Sequence, residues 1–352
     1  MRGAPIPDGY AGLTFPWDAP PAEGEATEVA PGVLWARLPL PMALDHVNVY
    51  FLAEPDGWTM VDTGFDTRRT RAILARLLDG PLGGRPIVRV LVTHHHPDHV
   101  GLAGWLQSQG AELLATRTAW LLARMLTLDE QAVPPPETVA FCRRWGMDPD
   151  VLARRAAERP FNFADIVAPM PVGYRRIRAG DGLTLGGRDW EVHRGDGHAP
   201  EHAVLFERGG DALVLGGDQL LPGISPNLGL YPTEPDGDPV GDWLAACDRL
   251  APHARDDQLV LPGHKTPYRG LPARLASLKA NHVHALDRLH AHLAAAPRIG
   301  GECFAPLFKR RIDDDAYGLA FFETAAHLNR LRHEGRATRR DRGDGAWLWE
   351  AA

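Results

Sequence analysis

Short apolar runs alternate with longer stretches of helical spacing along most of this chain. Residues 47–52 and 58–62 are apolar enough to form strands, and the Pro-Asp-Gly sequence between them is typical of a hairpin turn. Residues 67–78 carry apolar side chains at helical spacing, and a glycine-rich break separates them from the apolar run 87–92. The pattern therefore predicts a hairpin, a helix and another strand, in that order.

The alternation continues in the second half of the chain. Further strands are predicted at 190–193, 203–206, 212–215 and 258–261, and helices at 242–250, 273–296 and 317–334. Strands interleaved with helices are typical of two packed sheets with outer helices, so we expect an α/β protein. The first forty residues are rich in proline and glycine, and we predict that they form an irregular arm.

The pattern also suggests how the chain is divided. We expect a catalytic domain over residues 1–270 that carries an insertion at about 119–173, which is largely helical, rich in aromatic residues and placed over the site. Residues 271–352 would form a helical domain that ends in a small basic hairpin and looks like a winged helix. Four histidines lie on its first helix at mixed spacings, and we interpret them as a solvated face, with a second metal site as the less favoured alternative: His282, His284, His290 and His292.

Composition limits the function classes. The chain has 352 residues, enough for a large core, and a net charge of −7, which gives no global reason to expect nucleic-acid binding. Three widely spaced cysteines imply no disulfide framework. The first residues lack the apolar core of a signal peptide, and no stretch approaches the roughly 20 apolar residues that span a bilayer. We therefore expect a soluble, cytoplasmic protein with no membrane partner.

The densest candidate chemistry is Thr93-His94-His95-His96-Pro97-Asp98-His99, which follows the predicted strand 87–92. In extended chain His94 and His96 share a face, whereas His95 points away and is expected to bind nothing. Asp98 and His99 would open a helix whose first turn accommodates Pro97. Imidazole and carboxylate together suit zinc, iron or manganese. The segment therefore predicts half of a two-metal site.

Three more potential ligands follow later predicted strands. His198 lies in Gly197-His198-Ala199-Pro200, Asp218 follows two glycines, and His264 follows Pro262-Gly263. Glycine and proline permit sharp turns and close backbone approach, which a ligand at a strand end requires. Each motif alone is weak evidence, but their joint appearance after apolar strands predicts that they complete the metal site.

With these motifs in place, residues 30 to 270 resemble the metallo-β-lactamase-fold hydrolase superfamily. The resemblance implies a four-layer αββα sandwich with the metal site at one edge. It also implies that one metal is held by His94, His96 and His198, and the other by Asp98, His99 and His264. Asp218 would bridge the two ions, and Asp62 in Val61-Asp62-Thr63-Gly64 would orient a ligand or a bound water.

Departures from some branches of the superfamily narrow the expectation. No cysteine stands among the implied ligands, as it does in one group of antibiotic-hydrolysing enzymes, because Asp218 takes that place. The glutamate typical of flavodiiron proteins is absent because His96 is there. The complete set with a bridging aspartate looks more like the glyoxalase II, ribonuclease Z and lactonase groups, all of which hydrolyse their substrates.

The predicted reaction is therefore hydrolysis of an ester, thioester or lactone of a small acyl substrate. Two divalent ions, zinc first and iron or manganese as alternatives, would share an attacking hydroxide and stabilise the developing oxyanion. Asp98 and Asp218 are the predicted catalytic residues. Asn227 and Tyr231 are candidate substrate contacts because their irregular segment starts beside Asp218.

Two other activities compete with this prediction. An endoribonuclease or phosphodiesterase of the same fold would use the basic hairpin, whose arginines are diluted by Asp341 and Asp344. A mononuclear iron dioxygenase acting on a persulfide would bind one ion instead of two. A metal-stabilised binding protein is a further alternative. The carboxy-terminal module could also serve only for packing or for formation of a homodimer, and the sequence leaves these roles open.

Overall fold

The computed structural model describes residues 11–308 and 311–352, which form two compact units. The first unit contains the chain up to residue 130 together with 162–226 and 249–276. The second contains 131–161, 227–248 and 277–352. The division at residue 270 that the sequence suggested stays a prediction.

Two sheets form the centre of the first unit. One has seven strands in chain order: β1 Thr27–Ala30, β2 Val33–Pro39, β3 His46–Glu54, β4 Gly57–Val61, β5 Ile87–Leu91, β6 Glu112–Ala115 and β7 Arg175–Arg176. Neighbouring strands from β1 to β4 pair antiparallel, and neighbouring strands from β4 to β7 pair parallel. The other sheet has the order β12-β11-β10-β9-β8: β8 Gly182–Leu185, β9 Arg188–Gly195, β10 His202–Glu207, β11 Leu213–Gly217 and β12 Leu259–Pro262. All of its pairs are antiparallel except β11 with β12.

The apolar side chains of these strands build two cores. Trp35, Tyr50 and Leu52 of the first sheet pack against Trp190 and Leu205 of the second sheet, all of them at most 2% exposed. The opposite face of the first sheet packs against helices through a separate cluster. Both faces of the first sheet are therefore buried, which explains the nearly continuous apolar runs of β3 and β4.

Ten α-helices lie in the described residues. They are α1 Arg68–Asp79, α2 Pro97–Val100, α3 Ala103–Ser108, α4 Arg117–Leu128, α5 Pro136–Arg144, α6 Pro149–Ala157, α7 Pro239–Leu250, α8 Leu271–Ala295, α9 Phe304–Leu307 and α10 Asp314–His333. The side chain of Thr67 caps α1 by accepting the N–H of Thr70 at 3.1 Å, as expected where helical spacing begins. The predicted hairpin, strands and helices are confirmed with small shifts at their ends. Pro97 lies in the first turn of α2, also as predicted.

The prediction of an irregular arm over the first forty residues is wrong for residues 27–39. Residues 1–10 lie outside the described part, but β1 and β2 occupy 27–30 and 33–39. Trp35, Ala36 and Leu38 of β2 are fully buried because this strand pairs along its whole length with β3. Because prolines and glycines surround these short strands, the sequence pattern does not reveal their apolar character.

The second unit combines helices with a small hairpin. β13 Ala337–Asp341 and β14 Trp347–Ala351 follow α10 as an antiparallel pair. Trp145 stacks on Trp349 with ring centroids 5.2 Å apart, and the Arg339 guanidinium lies over both rings. The helix and hairpin agree with the predicted order of elements, whereas assignment as a winged helix stays a prediction.

Among the described residues, no helix is both long and apolar enough to cross a bilayer. The predicted cytoplasmic location stays a prediction.

Candidate metal centre

The ends of neighbouring strands bring the candidate ligands together. β4 and β5 run parallel with Val61 opposite Leu91, so Asp62 and the His94–His99 segment leave the first sheet side by side. β11 and β12 run parallel with Gly217 opposite Pro262, which places Asp218 beside His264. The N–H of Ala203 in β10 donates to the Thr93 carbonyl at 2.8 Å and joins the two sheets at this edge.

Three imidazoles form one part of the cluster. His96 Nδ1 lies 2.9 Å from His94 Nε2 and 2.9 Å from His198 Nε2, so three ring nitrogens face a common point. Burial, followed by the neighbouring rings, holds the pKa of His94 and His96 well below the usual range. Neutral rings with converging lone pairs can ligate a metal ion.

In the other part of the cluster, the carboxylates of Asp98 and Asp218 lie beside His99 and His264. His264 Nε2 lies 3.3 Å from Asp98 Oδ2 and 3.3 Å from Asp218 Oδ2. His99 Nε2 lies 3.5 Å from Asp98 Oδ2 and 3.4 Å from Asp218 Oδ1. Burial lowers the pKa of His264, but Asp218 and Asp98 outweigh burial and raise that pKa to about 10. This part of the site therefore favours positive charge.

Asp218 lies between the two parts. Its Oδ2 is 3.4 Å from His198 Nε2, so one carboxylate reaches a histidine of each set. Ligand atoms lie within 4.8 Å of one another in three combinations: His94 with His96 and His198, His94 with His99 and Asp218, and Asp98 with His99 and His264. The structure thus brings together all seven residues that the resemblance implied.

Two buried atoms of the cluster fit a cation. His99 Nε2 and Asp218 Oδ1 lie 3.4 Å apart, and neither makes a hydrogen bond to any described residue. A buried polar atom without a hydrogen bond is costly, and a metal ion coordinated by both atoms would remove that cost. The mixture of imidazole and carboxylate donors suits zinc, iron or manganese.

Asp62 supports the ligands without facing the cluster directly. Its Oδ2 lies 2.8 Å from His99 Nδ1, and its Oδ1 accepts the Thr93 N–H at 2.8 Å. The hydrogen bond from His99 Nδ1–H fixes this ring so that Nε2 is directed at Asp98 and Asp218. His264 is fixed in the same way, because its Nδ1 donates to the His46 carbonyl at 2.7 Å.

Glycine is required where the chain passes closest to the ligands. A Cβ on residue 263 would lie 2.3 Å from Asp218 Oδ1 and 2.8 Å from His99 Cε1. Gly217 has φ +46°, and a Cβ there would lie 2.5 Å from the His202 ring. The glycines that mark these strand ends in the sequence therefore permit close approach, as expected.

Sequence reasoning missed two histidines, His202 and His46, that support the ligands. His202 is fully buried and accepts the Asp218 N–H through Nε2 at 3.1 Å. His46 accepts the Lys265 N–H at 2.9 Å, directly after His264. His95 lies outside the three ligand combinations and stacks on Phe163. The position of His202 at the start of a buried strand was the signal that could have been used.

The predicted substrate contacts, Asn227 and Tyr231, lie in the second unit and contact other residues of that unit. Asn227 donates through Nδ2 to the Glu323 carboxylate at 2.8 Å and to the Leu319 carbonyl at 3.0 Å. Tyr231 packs against Phe322 with ring centroids 5.1 Å apart. Their roles in substrate binding stay predictions.

Comparison with known proteins gives consistent matches over most of the chain. The sequence profile of the metallo-beta-lactamase superfamily matches residues 42–291, and that of the metallo-beta-lactamase-like C-terminal domain matches residues 286–352. The chain is 27% identical over 314 residues to a probable metallo-hydrolase of Bacillus subtilis, covering 86% of this chain and 92% of that protein.

Two solved structures extend this likeness. A beta-lactamase domain protein from Burkholderia ambifaria is 35% identical with a TM-score of 0.88, covering 97% of this chain and 98% of that one. A metallo-beta-lactamase family protein from Thermus thermophilus is 29% identical with a TM-score of 0.77, covering 92% and 100%. The predicted fold class, an α/β sandwich with a helical carboxy-terminal part, is confirmed.

Proposed function

The chain belongs to the metallo-beta-lactamase superfamily, and from this membership we propose that it is a metal-dependent hydrolase of small acyl compounds. The bond cleaved is an ester, thioester or lactone bond. The observation that carries this proposal is the buried pair of unsatisfied atoms, His99 Nε2 and Asp218 Oδ1, inside a cluster of five histidines and two aspartates.

Two divalent ions, zinc first, fit the donor set. His94, His96 and His198 would hold one ion, Asp98, His99 and His264 the other, and Asp218 would contact both. When bound, such ions lower the pKa of water and polarise a substrate oxygen. The presence of a second complete ligand set supports two ions over the single iron of a dioxygenase.

The chain's own carboxylates have separate tasks in this proposal. The Asp98 side chain is 17% exposed and that of Asp218 8%, so Asp98 is the more accessible to solvent. In the proposed step Asp98 would accept a proton from the attacking water while the water oxygen bonds to the acyl carbon. The bond from that carbon to the leaving sulfur or oxygen then breaks. A thiolate leaves without first gaining a proton, which favours thioesters as substrates.

The charges of the carboxy-terminal hairpin favour a hydrolase of small molecules over a nuclease. Each of its four arginines has an acidic partner: Arg336 with Asp287 at 2.8 Å, Arg339 with Asp236 at 3.4 Å, Arg340 with Glu350 at 3.8 Å, and Arg342 with Asp344. Arg339 is further held over three tryptophan rings. Paired arginines offer less charge to phosphates than free ones, which supports a small acyl substrate over RNA.

The test combines metal analysis with a panel of acyl thioesters, simple esters, lactones, β-lactams and single-stranded RNA. We expect turnover of at least one acyl substrate, reduced at least about 100-fold in Asp98→Asn and in Asp218→Asn with folding intact. Asp66→Asn is the matched control, because that carboxylate pairs with Arg71 at 2.6 Å. Turnover of RNA alone, or full acyl turnover in both aspartate variants, would overturn the proposal.

A further inference from the structure

A second group of potential ligands lies entirely within the second unit. His282 of α8 and Glu323 and His327 of α10 each offer one ligand atom, and these atoms lie within 4.8 Å of one another. His282 and His327 are both 1% exposed. The prediction of a solvated helix face is therefore wrong for His282, whereas His284, two residues further on, is exposed.

The two rings approach each other through nitrogen atoms. His282 Nδ1 lies 3.1 Å from His327 Nε2, close to the 2.9 Å between His94 Nε2 and His96 Nδ1 in the first cluster. His327 Nδ1 donates to the Glu323 carbonyl at 2.8 Å, one turn earlier in the helix. This bond fixes the tautomer in which Nε2 carries no proton and can serve as a ligand, a support common among metal-binding histidines.

The charge balance of the group also favours a cation. The Glu323 carboxylate accepts a hydrogen bond from Asn227 Nδ2 at 2.8 Å. A divalent ion would compensate the carboxylate and accept both ring lone pairs.

We propose that His282, Glu323 and His327 bind one divalent transition-metal ion, with zinc as the best fit, separate from the ions of the hydrolytic centre. Two imidazoles and one carboxylate are a common zinc ligand set, completed by a water molecule. Since His282 lies on α8 and the other two on α10, the ion would join two helices of the second unit. Its effect is to stabilise this unit.

The first test is the zinc content of the full-length protein and its variants, measured by mass spectrometry after unbound metal is removed. We expect His282→Gln and Glu323→Gln each to hold one zinc ion fewer than wild type and to lose part of the zinc-dependent rise in melting temperature. Glutamine at 323 keeps an oxygen that can accept from Asn227, so folding should be preserved. His284→Gln is the matched control and should hold as much zinc as wild type.

A second test uses the unaltered protein and so does not depend on the folding of variants. Crystals grown with zinc should show an anomalous scattering peak among the three side chains at the zinc absorption edge. No peak there, with His282 Nδ1–H donating directly to His327 Nε2, would overturn the proposal. Equal zinc content in wild type and Glu323→Gln would overturn it as well.

Discussion

Replacing Asp62 with asparagine is expected to weaken metal binding although Asp62 is not among the proposed ligands. Its carboxylate accepts from the Thr93 N–H at 2.8 Å, from the Thr93 hydroxyl, and from His99 Nδ1 at 2.8 Å. An asparagine whose oxygen keeps the bond to Thr93 turns its NH2 group toward His99 Nδ1–H, so two donors meet. His99 can avoid this only by moving its proton to Nε2, the nitrogen directed at Asp98 and Asp218.

The size of the effect follows from the bond that is lost. A hydrogen bond to a charged group contributes about 1.5–3 kcal/mol. Loss of such support for a metal-binding histidine weakens metal affinity by roughly 10- to 100-fold. That range corresponds to about 1.4–2.8 kcal/mol, so the two estimates agree. We therefore expect this weakening for the ion held by His99.

The assay is competition for zinc between the protein and a chromophoric chelator. Wild type, Asp62→Asn and Asp66→Asn are compared at one pH, with melting temperatures recorded to confirm folding. Asp66→Asn makes the same chemical change at a carboxylate that pairs with Arg71, and its zinc affinity should equal that of wild type. An Asp62→Asn protein that folds and binds both ions as tightly as wild type would show that Asp62 does not support metal binding through His99.

Two further predictions concern steric fit and pH. Gly263→Ala places a Cβ 2.3 Å from Asp218 Oδ1, so it should weaken zinc binding at least about tenfold. Gly173→Ala is the control, because no atom lies within 4 Å of its Cβ, and it should leave zinc binding unchanged. Equal zinc affinities of the two variants in the chelator assay would contradict this prediction. His46 is buried, which lowers its pKa to about 4 from 6.5, so protonation of the unfolded chain favours unfolding as pH falls below about 6.5. Urea unfolding of the metal-free protein at pH 7 and pH 5 should show wild type losing about 2 kcal/mol more stability than His46→Gln; equal losses would contradict the assignment.

The sequence was informative where one local rule decided the outcome. The apolar runs of β3, β4, β10 and β12 are buried on both faces, so their strands could be predicted from composition and length. The ligands at strand ends were recognisable because turns rich in glycine accompany them. Their convergence, however, could be expected only from resemblance, since spacing alone does not determine which strand ends meet.

Where several distant contacts decide, the sequence was less informative. β2 is held by its full-length pairing with β3, a contact that local composition does not show. The sequence predicts a solvated face for His282 because the histidines of that helix lie at mixed spacings. In the fold it packs against His327, 45 positions further along the chain. Helical spacing locates a residue on a face but does not say what covers that face.

We propose that this chain hydrolyses an acyl bond by means of metal ions held at Asp98, Asp218 and the five surrounding histidines. The rate of acyl thioester hydrolysis, measured as zinc is returned to the metal-free protein, tests this proposal. We expect no turnover above background without metal, and a rate that rises with added zinc in wild type but not in Asp218→Asn. Equal turnover with and without metal, or full recovery in Asp218→Asn, would contradict it.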